Sequence, residues 1–187
     1  MAEKNDKLIA EHERFLRMFT PVRERLWRFV RAWTRASKSS VDDIMGEIVL
    51  RTYEGMNSVR NEDSFTAFCF TIARRVILQH RNRQQSYIKT TIEYNPESHE
   101  QHSKTPTPDI EVDIGFLYNA LALLPDKTKE ALILFEISGY SLEEIRVIQG
   151  GSLSGVKNRL ARGRVQLVSM LGEHIRTTTK IEQKENE

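Results

Sequence analysis

Residues 141–162 read SLEEIRVIQGGSLSGVKNRLAR and hold the strongest folding signal in the chain. Ser141 and Glu144 form a capping box, in which two side chains satisfy the first free backbone amides of a helix reciprocally. Gly150 and Gly151 end this short helix, and the serine that follows them favours the start of the next. Two short helices joined by a glycine turn, the second one basic, predict a DNA-binding helix-turn-helix. Helical hairpins that bind no DNA share the pattern, so that alternative stays open at this point.

The composition favours a helical protein with enough length for one domain or two small ones. The chain has 187 residues, of which 39% are apolar and 29% are charged, so it can bury a core. Its 9 glycines and 5 prolines argue against a turn-rich all-β fold. The apolar runs are too short for a membrane span and no secretory signal is visible, so we expect a cytoplasmic protein. The single cysteine, Cys69, fits a reducing compartment.

Three apolar stripes at helical spacing predict a bundle of helices in the N-terminal half. The first includes Phe29 and Trp33, and the second follows a capping-box-like start at Ser40. The third runs from Phe65 to Ile77, with the arginines of that segment at positions outside the stripe. One helix can therefore bury its apolar side and contact an anion with the other.

Charge is distributed unevenly along the chain, although the net charge is only +2. Residues 64–92 carry five basic side chains and no acidic one, and residues 146–172 repeat this pattern. Because a solvated helix face usually interleaves both signs, each tract favours contact with phosphates. Residues 84–113 overlap the end of the first tract and hold six acidic side chains, two basic ones and three prolines. This stretch has no sustained helical periodicity and predicts a flexible acidic linker.

The expected architecture is therefore all-α, with two small helical domains joined by that linker. Pro125 should end the first helix of the second domain, since proline cannot continue a helix. The expected boundaries are a first helical domain at 8–83, the linker at 84–113, a helix-turn-helix domain at 114–176 and a disordered tail at 177–187.

Motifs in both halves of the chain agree in order and spacing with one known family. The first half holds DDIMGEIVLR at 42–51 and SFTAFCFTIARR at 64–75. The second half holds LLP at 123–125, SLEEI at 141–145 and VKNRLAR at 156–162. These motifs, within residues 10–172, resemble bacterial RNA polymerase sigma factors of the extracytoplasmic-function (ECF) type. In that family the first two segments bind the polymerase and melt the promoter, and the others belong to the helix-turn-helix.

The resemblance implies a sigma factor that binds core RNA polymerase, recognises promoter DNA and opens it, without a cofactor. Implied partners are the beta-prime clamp helices, the beta subunit, and double-stranded and melted promoter DNA. The implied polymerase contacts are Asp43, Ile44, Glu47, Leu50 and Arg51. The implied contacts to the minus-ten element, where flipped bases stack beside basic side chains, are Asn57, Arg60, Asn61, Arg74, Arg75, Gln79 and Arg83. The implied contacts to the minus-thirty-five element, read in the major groove, are Ser154, Lys157, Asn158, Arg159, Arg162 and Arg164.

Three residues of the helix-turn-helix depart from the family pattern. Arg146, Gln149 and Gly151 stand where the family favours small or apolar residues that pack the two helices together. A polar group buried without a partner costs about 1 to 3 kcal/mol. One interpretation is a weak or altered promoter reader that depends on a polymerase-bound protein or a recruiting protein bound to DNA for its placement. An anti-sigma factor is a further implied partner. The other is that these residues are tolerated variants.

Enzymatic and metal-binding functions have little support in the sequence. No glycine-rich phosphate loop, paired-cysteine motif, His-Glu helix signature or serine elbow is present. His99 and His102 lie three residues apart without further ligands nearby, so no metal site is predicted. Cys69, Trp27 and Trp33 are expected to be core residues.

Other interpretations stay open from sequence alone. Asp43 and Glu47 also suit the N-terminal part of a helix, where acidic side chains complement the helix dipole. The whole chain also fits a stand-alone helix-turn-helix regulator that binds an operator without polymerase. A protein-interaction module with incidental basic faces is the third candidate.

Overall fold

The computed structural model of the chain describes residues 2–35, 40–59, 64–90 and 108–185. All regular secondary structure in these ranges is helical, in agreement with the expected all-α class. Four residues discussed above lie outside the described residues, together with most of the expected linker: Arg60, Asn61, His99 and His102.

The described ranges form seven α-helices in two groups. Their bounds are α1 Ala2–Thr34, α2 Val41–Gly55, α3 Phe65–Thr90, α4 Pro108–Leu123, α5 Asp126–Leu132, α6 Leu142–Gln149 and α7 Leu153–Glu185. A 3-10 turn, Met56–Ser58, follows α2, and a π-helical turn, Ile133–Ile137, extends α5. Helices α1 to α3 pack on one another as the first domain, and α4 to α6 pack around α7 as the second.

The three predicted helix starts are confirmed, because their capping hydrogen bonds are present. Ser40 Oγ accepts the backbone N–H three residues on at 3.4 Å, at the start of α2. Ser141 and Glu144 make both hydrogen bonds of the capping box, at 3.3 and 2.8 Å, and α6 begins there. Ser152 Oγ accepts a backbone N–H at 3.1 Å at the start of α7. Pro125 separates α4 from α5, as expected.

Several helices extend further than the sequence pattern predicts. Pro21 lies inside α1 without ending it. Helix α3 reaches Thr90, past the expected linker start, since 84–90 contain no glycine or proline to stop it. Helix α4 already begins at Pro108, because proline is tolerated in the first turn of a helix. Helix α7 continues to Glu185, through most of the segment expected to be a disordered tail.

Buried side chains of the two domains meet in one continuous core. Phe29 and Phe70 of the first domain and Leu134 of the second are fully buried. The Phe70 ring packs edge-on against Tyr140, with ring centroids 5.1 Å apart. The first domain therefore shares apolar burial with the turn that precedes α6.

The expected core residues are confirmed except for Trp27. Cys69 and Trp33 are buried, and burial raises the pKa of the Cys69 thiol to about 12. Trp27 is 38% exposed, so its prediction as a core anchor is wrong. Successive residues of a helix differ by about 100° in direction, so Trp27 points away from the side on which Leu26 is buried. The Arg31 guanidinium lies 5.1 Å from the Trp27 ring centroid.

Helix α5 lies directly against α7 at a glycine. A Cβ atom on Gly163 would come within 2.7 Å of both Leu132 Cδ1 and Thr128 Cγ2. This close approach packs α7, the second helix of the helix-turn-helix, directly against α5.

Candidate nucleic-acid and partner interfaces

A polar cluster joins α2 to α3 and contains three residues implied to contact polymerase or DNA. Glu47 Oε2 lies 2.6 Å from His80 Nε2, and Glu47 Oε1 lies 2.5 Å from an Arg51 nitrogen. Arg51 Nη1 donates a hydrogen bond to Gln79 Oε1 at 2.7 Å. The hydrogen bond from His80 lowers the pKa of Glu47, and the Arg51 charge acts in the same direction. The cluster holds an ionised carboxylate beside the outer face of α2.

The implied polymerase contacts on α2 are not all at the surface. Asp43 and Leu50 are exposed, and Leu50 has 56% of its surface accessible. Ile44 is fully buried, because it lies on the same side of the helix as Ile48 and Thr52, at a spacing of four residues. Ile44 therefore packs in the core, and the prediction that it contacts polymerase is wrong.

Basic residues of α3 lie on two sides of the helix. Arg75, Gln79 and Arg83 recur every four residues and are exposed. Arg74 and Arg81 are seven residues apart, nearly two full turns, and share another side. The implied minus-ten set is thereby divided: the row that starts at Arg75 faces outward, whereas Arg74 faces the second domain. Of the preceding loop, Asn57 is described and is exposed.

Arg74 and Arg81 contact acidic residues of α5. Arg81 donates from Nη1 and Nη2 to the two carboxylate oxygens of Asp126 at 3.0 and 3.3 Å. Arg74 Nη1 lies 3.8 Å from the carboxylate of Glu130, which is buried. Burial raises the pKa of Glu130, against the hydrogen bond from Gln149 and the nearby cations. Sequence reasoning placed Arg81 in a basic tract only, although its spacing from Arg74 indicates a shared face.

Two further cations join the domains. Arg25 Nη1 donates to Glu144 Oε1 at 3.3 Å, and its guanidinium lies 4.7 Å from the Tyr140 ring centroid. Lys129 Nζ donates to the backbone oxygen of Trp33 at 3.4 Å and lies 4.9 Å from the Trp33 ring centroid. Burial lowers the pKa of Lys129 to about 8. No sequence pattern pointed to these contacts, since each joins residues about a hundred positions apart.

Helices α6 and α7 form the predicted helix-turn-helix. The turn contains Gly150 and Gly151, whose φ angles of +72° and +90° favour glycine over any residue with a Cβ atom. Ser154, Lys157 and Asn158 are exposed on one side of the first two turns of α7. This row has the position and the donor and acceptor groups that major-groove recognition requires.

The three arginines that follow occupy different environments. Arg162 is exposed. Arg164 donates from Nε and Nη2 to Glu136 Oε1 at 2.9 and 2.7 Å, within the second domain. Arg159 is partly buried, and its Nε and Nη2 have no hydrogen-bond partner among the described residues. Arg159 also contributes to the electrostatic field at Glu130, so part of its guanidinium faces the protein interior.

The three residues that depart from the family pattern mostly fit their positions, through hydrogen-bond partners or turn geometry. Arg146 is exposed and pairs with Glu143 at 2.8 Å, so the expected burial penalty is wrong for this residue. Gln149 Nε2 donates to the Lys127 backbone oxygen and to Glu130 Oε2, both at 2.9 Å, whereas its Oε1 is buried without a partner. The positive φ of Gly151 explains its presence by turn geometry.

The described part of the chain contains no group of three or more histidine, cysteine, aspartate or glutamate residues arranged to hold a metal ion. None of its helices is long and apolar enough to cross a membrane.

Comparison with known proteins assigns both domains. Residues 18–87 match the family model for sigma-70 region 2, and residues 117–167 match the model for sigma-70 region 4, which together cover more than half of the chain. The ECF RNA polymerase sigma factor EcfG of Rhodopseudomonas palustris is 29% identical over 131 residues, 70% of this chain and 70% of that protein. The chain belongs to the ECF sigma factors. RNA polymerase sigma factor SigZ of Bacillus subtilis is 26% identical over 135 residues, 72% of this chain and 74% of that protein.

Two solved structures share the fold of this ECF sigma factor. The sigma factor RpoE in complex with the anti-sigma factor NepR, from Bartonella quintana, matches with a TM-score of 0.64 and 21% identity over 86% of this chain and 98% of that chain. CnrH in complex with the cytosolic domain of CnrY matches with a TM-score of 0.61 and 17% identity over 87% of this chain and 90% of that chain.

Membership in this family settles the function that the sequence left open. The sigma factor binds core RNA polymerase and directs promoter recognition in transcription initiation. A stand-alone operator-binding regulator is not favoured, because both sigma regions are present in their order along the chain. Sigma factors as a class are non-enzymatic regulators.

Proposed function

We propose that this ECF sigma factor uses three surfaces, one to bind polymerase and two to bind promoter DNA. The α2 surface binds the clamp helices of polymerase and consists of Asp43, Glu47, Leu50 and Arg51. The α3 surface holds the minus-ten element and consists of Asn57, Arg74, Arg75, Gln79 and Arg83, with Arg60 and Asn61 outside the described residues. The α7 surface holds the minus-thirty-five element and consists of Ser154, Lys157, Asn158, Arg159, Arg162 and Arg164.

The exposed row on the first two turns of α7 carries the proposal. Ser154, Lys157 and Asn158 project from the second helix of a helix-turn-helix, in a tract that contains no acidic residue. Such a helix inserts its N-terminal turns into the major groove, where lysine and asparagine side chains read base edges. Arg162 extends the surface towards the phosphates, whereas Arg159 and Arg164 reach DNA only if they leave their present environments.

Transcription by reconstituted holoenzyme tests the α7 surface. Promoters are first selected from a random library with core polymerase and the wild-type chain. On these promoters Lys157→Ala is expected to reduce initiation about tenfold, the effect of losing one good contact in the groove. Lys127→Ala is the matched control, because it removes the same charge from an exposed position of the same domain. Equal activity of the two variants would remove Lys157 from the proposed surface.

The α2 surface is proposed because it combines an ionised carboxylate, its arginine partner and the exposed Leu50 on one helix. Leu50→Asp is expected to weaken binding to core polymerase about tenfold, since an exposed apolar residue at an interface loses its buried contact. Leu16→Asp is the control, because Leu16 is 58% exposed and Leu50 is 56% exposed. Competition binding against a fluorescent wild-type chain measures both. The assignment is abandoned when both variants bind as the wild type does.

Opening of the minus-ten region is proposed for the α3 surface. The exposed row Arg75, Gln79 and Arg83 lies along one side of α3, with Asn57 in the loop that precedes it. Cations along a helix neutralise phosphates, and a neighbouring loop can then accept an unstacked base. Arg75→Ala is expected to lose the permanganate-reactive thymines of the open complex. Its binding to core polymerase is expected to stay normal.

Regulation by a protein partner is a further part of the proposal. The two structural neighbours are complexes with a protein partner, an anti-sigma factor in the first and the cytosolic domain of CnrY in the second. We assign an anti-sigma factor to this chain by analogy, together with a cytoplasmic site of action and no catalytic activity of its own. A need for a recruiting protein at the promoter has weaker support, because Arg146 and Gly151 fit their positions. Robust transcription by the purified two-component holoenzyme would remove the need for a recruiter.

A further inference from the structure

The Gln149 side chain joins the end of α6 to α5. Its Nε2 donates to the backbone oxygen of Lys127 and to Glu130 Oε2, both at 2.9 Å. Since both partners are oxygen acceptors, only the NH2 end of the amide can face them, and Gln149 Oε1 is buried without a partner. A small or apolar residue, which the family favours at this position, makes neither hydrogen bond. The glutamine therefore supplies Glu130 with a donor that the family pattern lacks.

The Arg159 side chain lies on the side of α7 that faces α5. Arg159 precedes Gly163 by four residues, so the two share a side of the helix, and a Cβ atom on Gly163 would press on α5. Burial raises the pKa of the Glu130 carboxyl, and Arg159 is among the cations near enough to act against this rise. Arg159 Nη1 also lies 3.6 Å from the position of a Cβ atom on Gly155, so the guanidinium extends back towards the first turns of α7.

Two donors of Arg159 are unpaired in this position. Its Nε and Nη2 are buried without a hydrogen-bond partner among the described residues. A guanidinium beside a buried carboxylate ordinarily forms a two-point pair with it. Glu130 Oε2 is instead approached by Gln149 at 2.9 Å and by Arg74 at 3.8 Å. Because a buried N–H without a partner costs free energy, an acceptor that reaches Arg159 from outside the protein binds it favourably.

We propose that Gln149 is a positioning residue for minus-thirty-five recognition, because it occupies Glu130 and thereby leaves the Arg159 guanidinium available to DNA. This inference rests on the proposed minus-thirty-five role of α7. When α7 enters the major groove, the unpaired donors of Arg159 gain acceptors on the DNA, either guanine O6 and N7 or phosphate oxygens. With an apolar residue at position 149, Glu130 loses its donor and pairs with Arg159 instead. Gln149 thus acts on the DNA contact through two other side chains.

Gln149→Leu tests this role in reconstituted holoenzyme on the selected promoters. It is expected to reduce initiation about fivefold as Arg159 pairs with Glu130, and Arg159→Ala is expected to reduce initiation about tenfold. Adding Gln149→Leu to Arg159→Ala should cause no further loss. Adding Glu130→Gln to Gln149→Leu removes the competing charge and should restore initiation. Gln166→Leu is the control, because it makes the same change at an exposed position of α7.

The Nε–H resonance of Arg159 in the isotope-labelled free chain is a second measurement that does not depend on activity. In Gln149→Leu this resonance is expected to shift downfield, because the proton becomes hydrogen-bonded to Glu130, and adding Glu130→Gln should reverse the shift. Thermal unfolding shows whether each variant is folded. If Gln149→Leu does not fold, Gln149→Asn replaces it, since its amide is one methylene too short to reach both acceptors.

Three results overturn the inference. Gln149→Leu initiates as well as the wild type, its loss is the same with and without Arg159→Ala, or Arg159→Ala initiates normally while Lys157→Ala does not. Failure of the α7 assignment is distinguishable, since Lys157→Ala and Arg159→Ala then both initiate normally.

A promoter with a scrambled minus-thirty-five element identifies the acceptor on the DNA. If Arg159 reads bases, Arg159→Ala weakens initiation on the selected promoter alone. If Arg159 binds phosphates, it weakens initiation on both promoters equally. Either result supports the contact between Arg159 and DNA, and only the kind of acceptor differs.

Discussion

At the scale of single residues, Gly163 leaves less room for a larger side chain than the other glycines of the second domain. A methyl group there would press on Leu132 and Thr128 of α5, each at 2.7 Å. Gly163→Ala is therefore expected to lower the free energy of unfolding by about 1 to 3 kcal/mol, the usual effect of overpacking. Gly172→Ala, on the same helix with open space around it, should instead raise stability by up to about 1 kcal/mol through helix propensity. Urea unfolding measures both, and a stabilised Gly163→Ala variant would contradict the close packing of α5 on α7.

Glu47 makes a residue-scale prediction about pH. Its pKa is lowered, mainly by the hydrogen bond from His80, so its contribution to stability is fully present above the ordinary carboxyl pKa of about 4 and is lost as pH falls through the lower folded-state value. Glu47→Gln should be less stable than the wild type by about 1 kcal/mol at pH 7, and the gap should close in acid. Glu54→Gln removes a charge from an exposed position of the same helix and should change stability little at pH 7. If the free energies of unfolding of the wild type and of Glu47→Gln change in parallel with pH, the role of the His80 contact is refuted.

At the scale of helices, local signals were readable from sequence and contacts between helices were not. Ser40 and Ser141 cap helices through residues three positions away, so their roles follow from short motifs. The burial of Ile44 and the outward position of Trp27 depend on which side of each helix meets the core. Lys129 is the extreme case, because its partner Trp33 lies in the other domain. The exposure of Ser154, Lys157 and Asn158 could be predicted, since the first turns of a recognition helix are exposed in any helix-turn-helix, whereas their contacts with DNA stay a prediction.

Lys129 connects α5 to the last turn of α1 and makes an element-scale prediction. Burial lowers its pKa to about 8, so between about pH 8 and 10 the unfolded chain binds a proton that the folded chain does not. Stability that depends on Lys129 should therefore rise with pH in this window. Relative to Lys129→Met, which does not titrate, the wild type is expected to gain about 1 to 2 kcal/mol between pH 7 and pH 10. Denaturant titrations at the two pH values measure this gain, and Lys127→Met, at an exposed neighbouring position, should lack it.

At the scale of the whole molecule, two domains with their own helices share one core and several ion pairs. The ion pairs respond to salt, since solvent ions screen partly exposed charges. The Phe70 and Tyr140 contact does not, because it is apolar and buried. Raising the salt concentration should therefore weaken the ion pairs between the domains and leave the aromatic contact in place.

The contacts shared by the two domains predict how the sigma factor unfolds. With the interface intact, calorimetry at low salt should show one cooperative transition, because neither domain can expose its share of the core without the other. Combining Asp126→Arg with Tyr140→Ala removes the ion pair with Arg81 and the contact with Phe70 together, and each domain should then melt separately, in two resolved transitions. Glu136→Arg with Leu16→Asp changes exposed residues away from the interface and should keep a single transition. Two transitions in the wild type at low salt would show that the domains are thermodynamically independent, and the shared core would then contribute nothing to their cooperation.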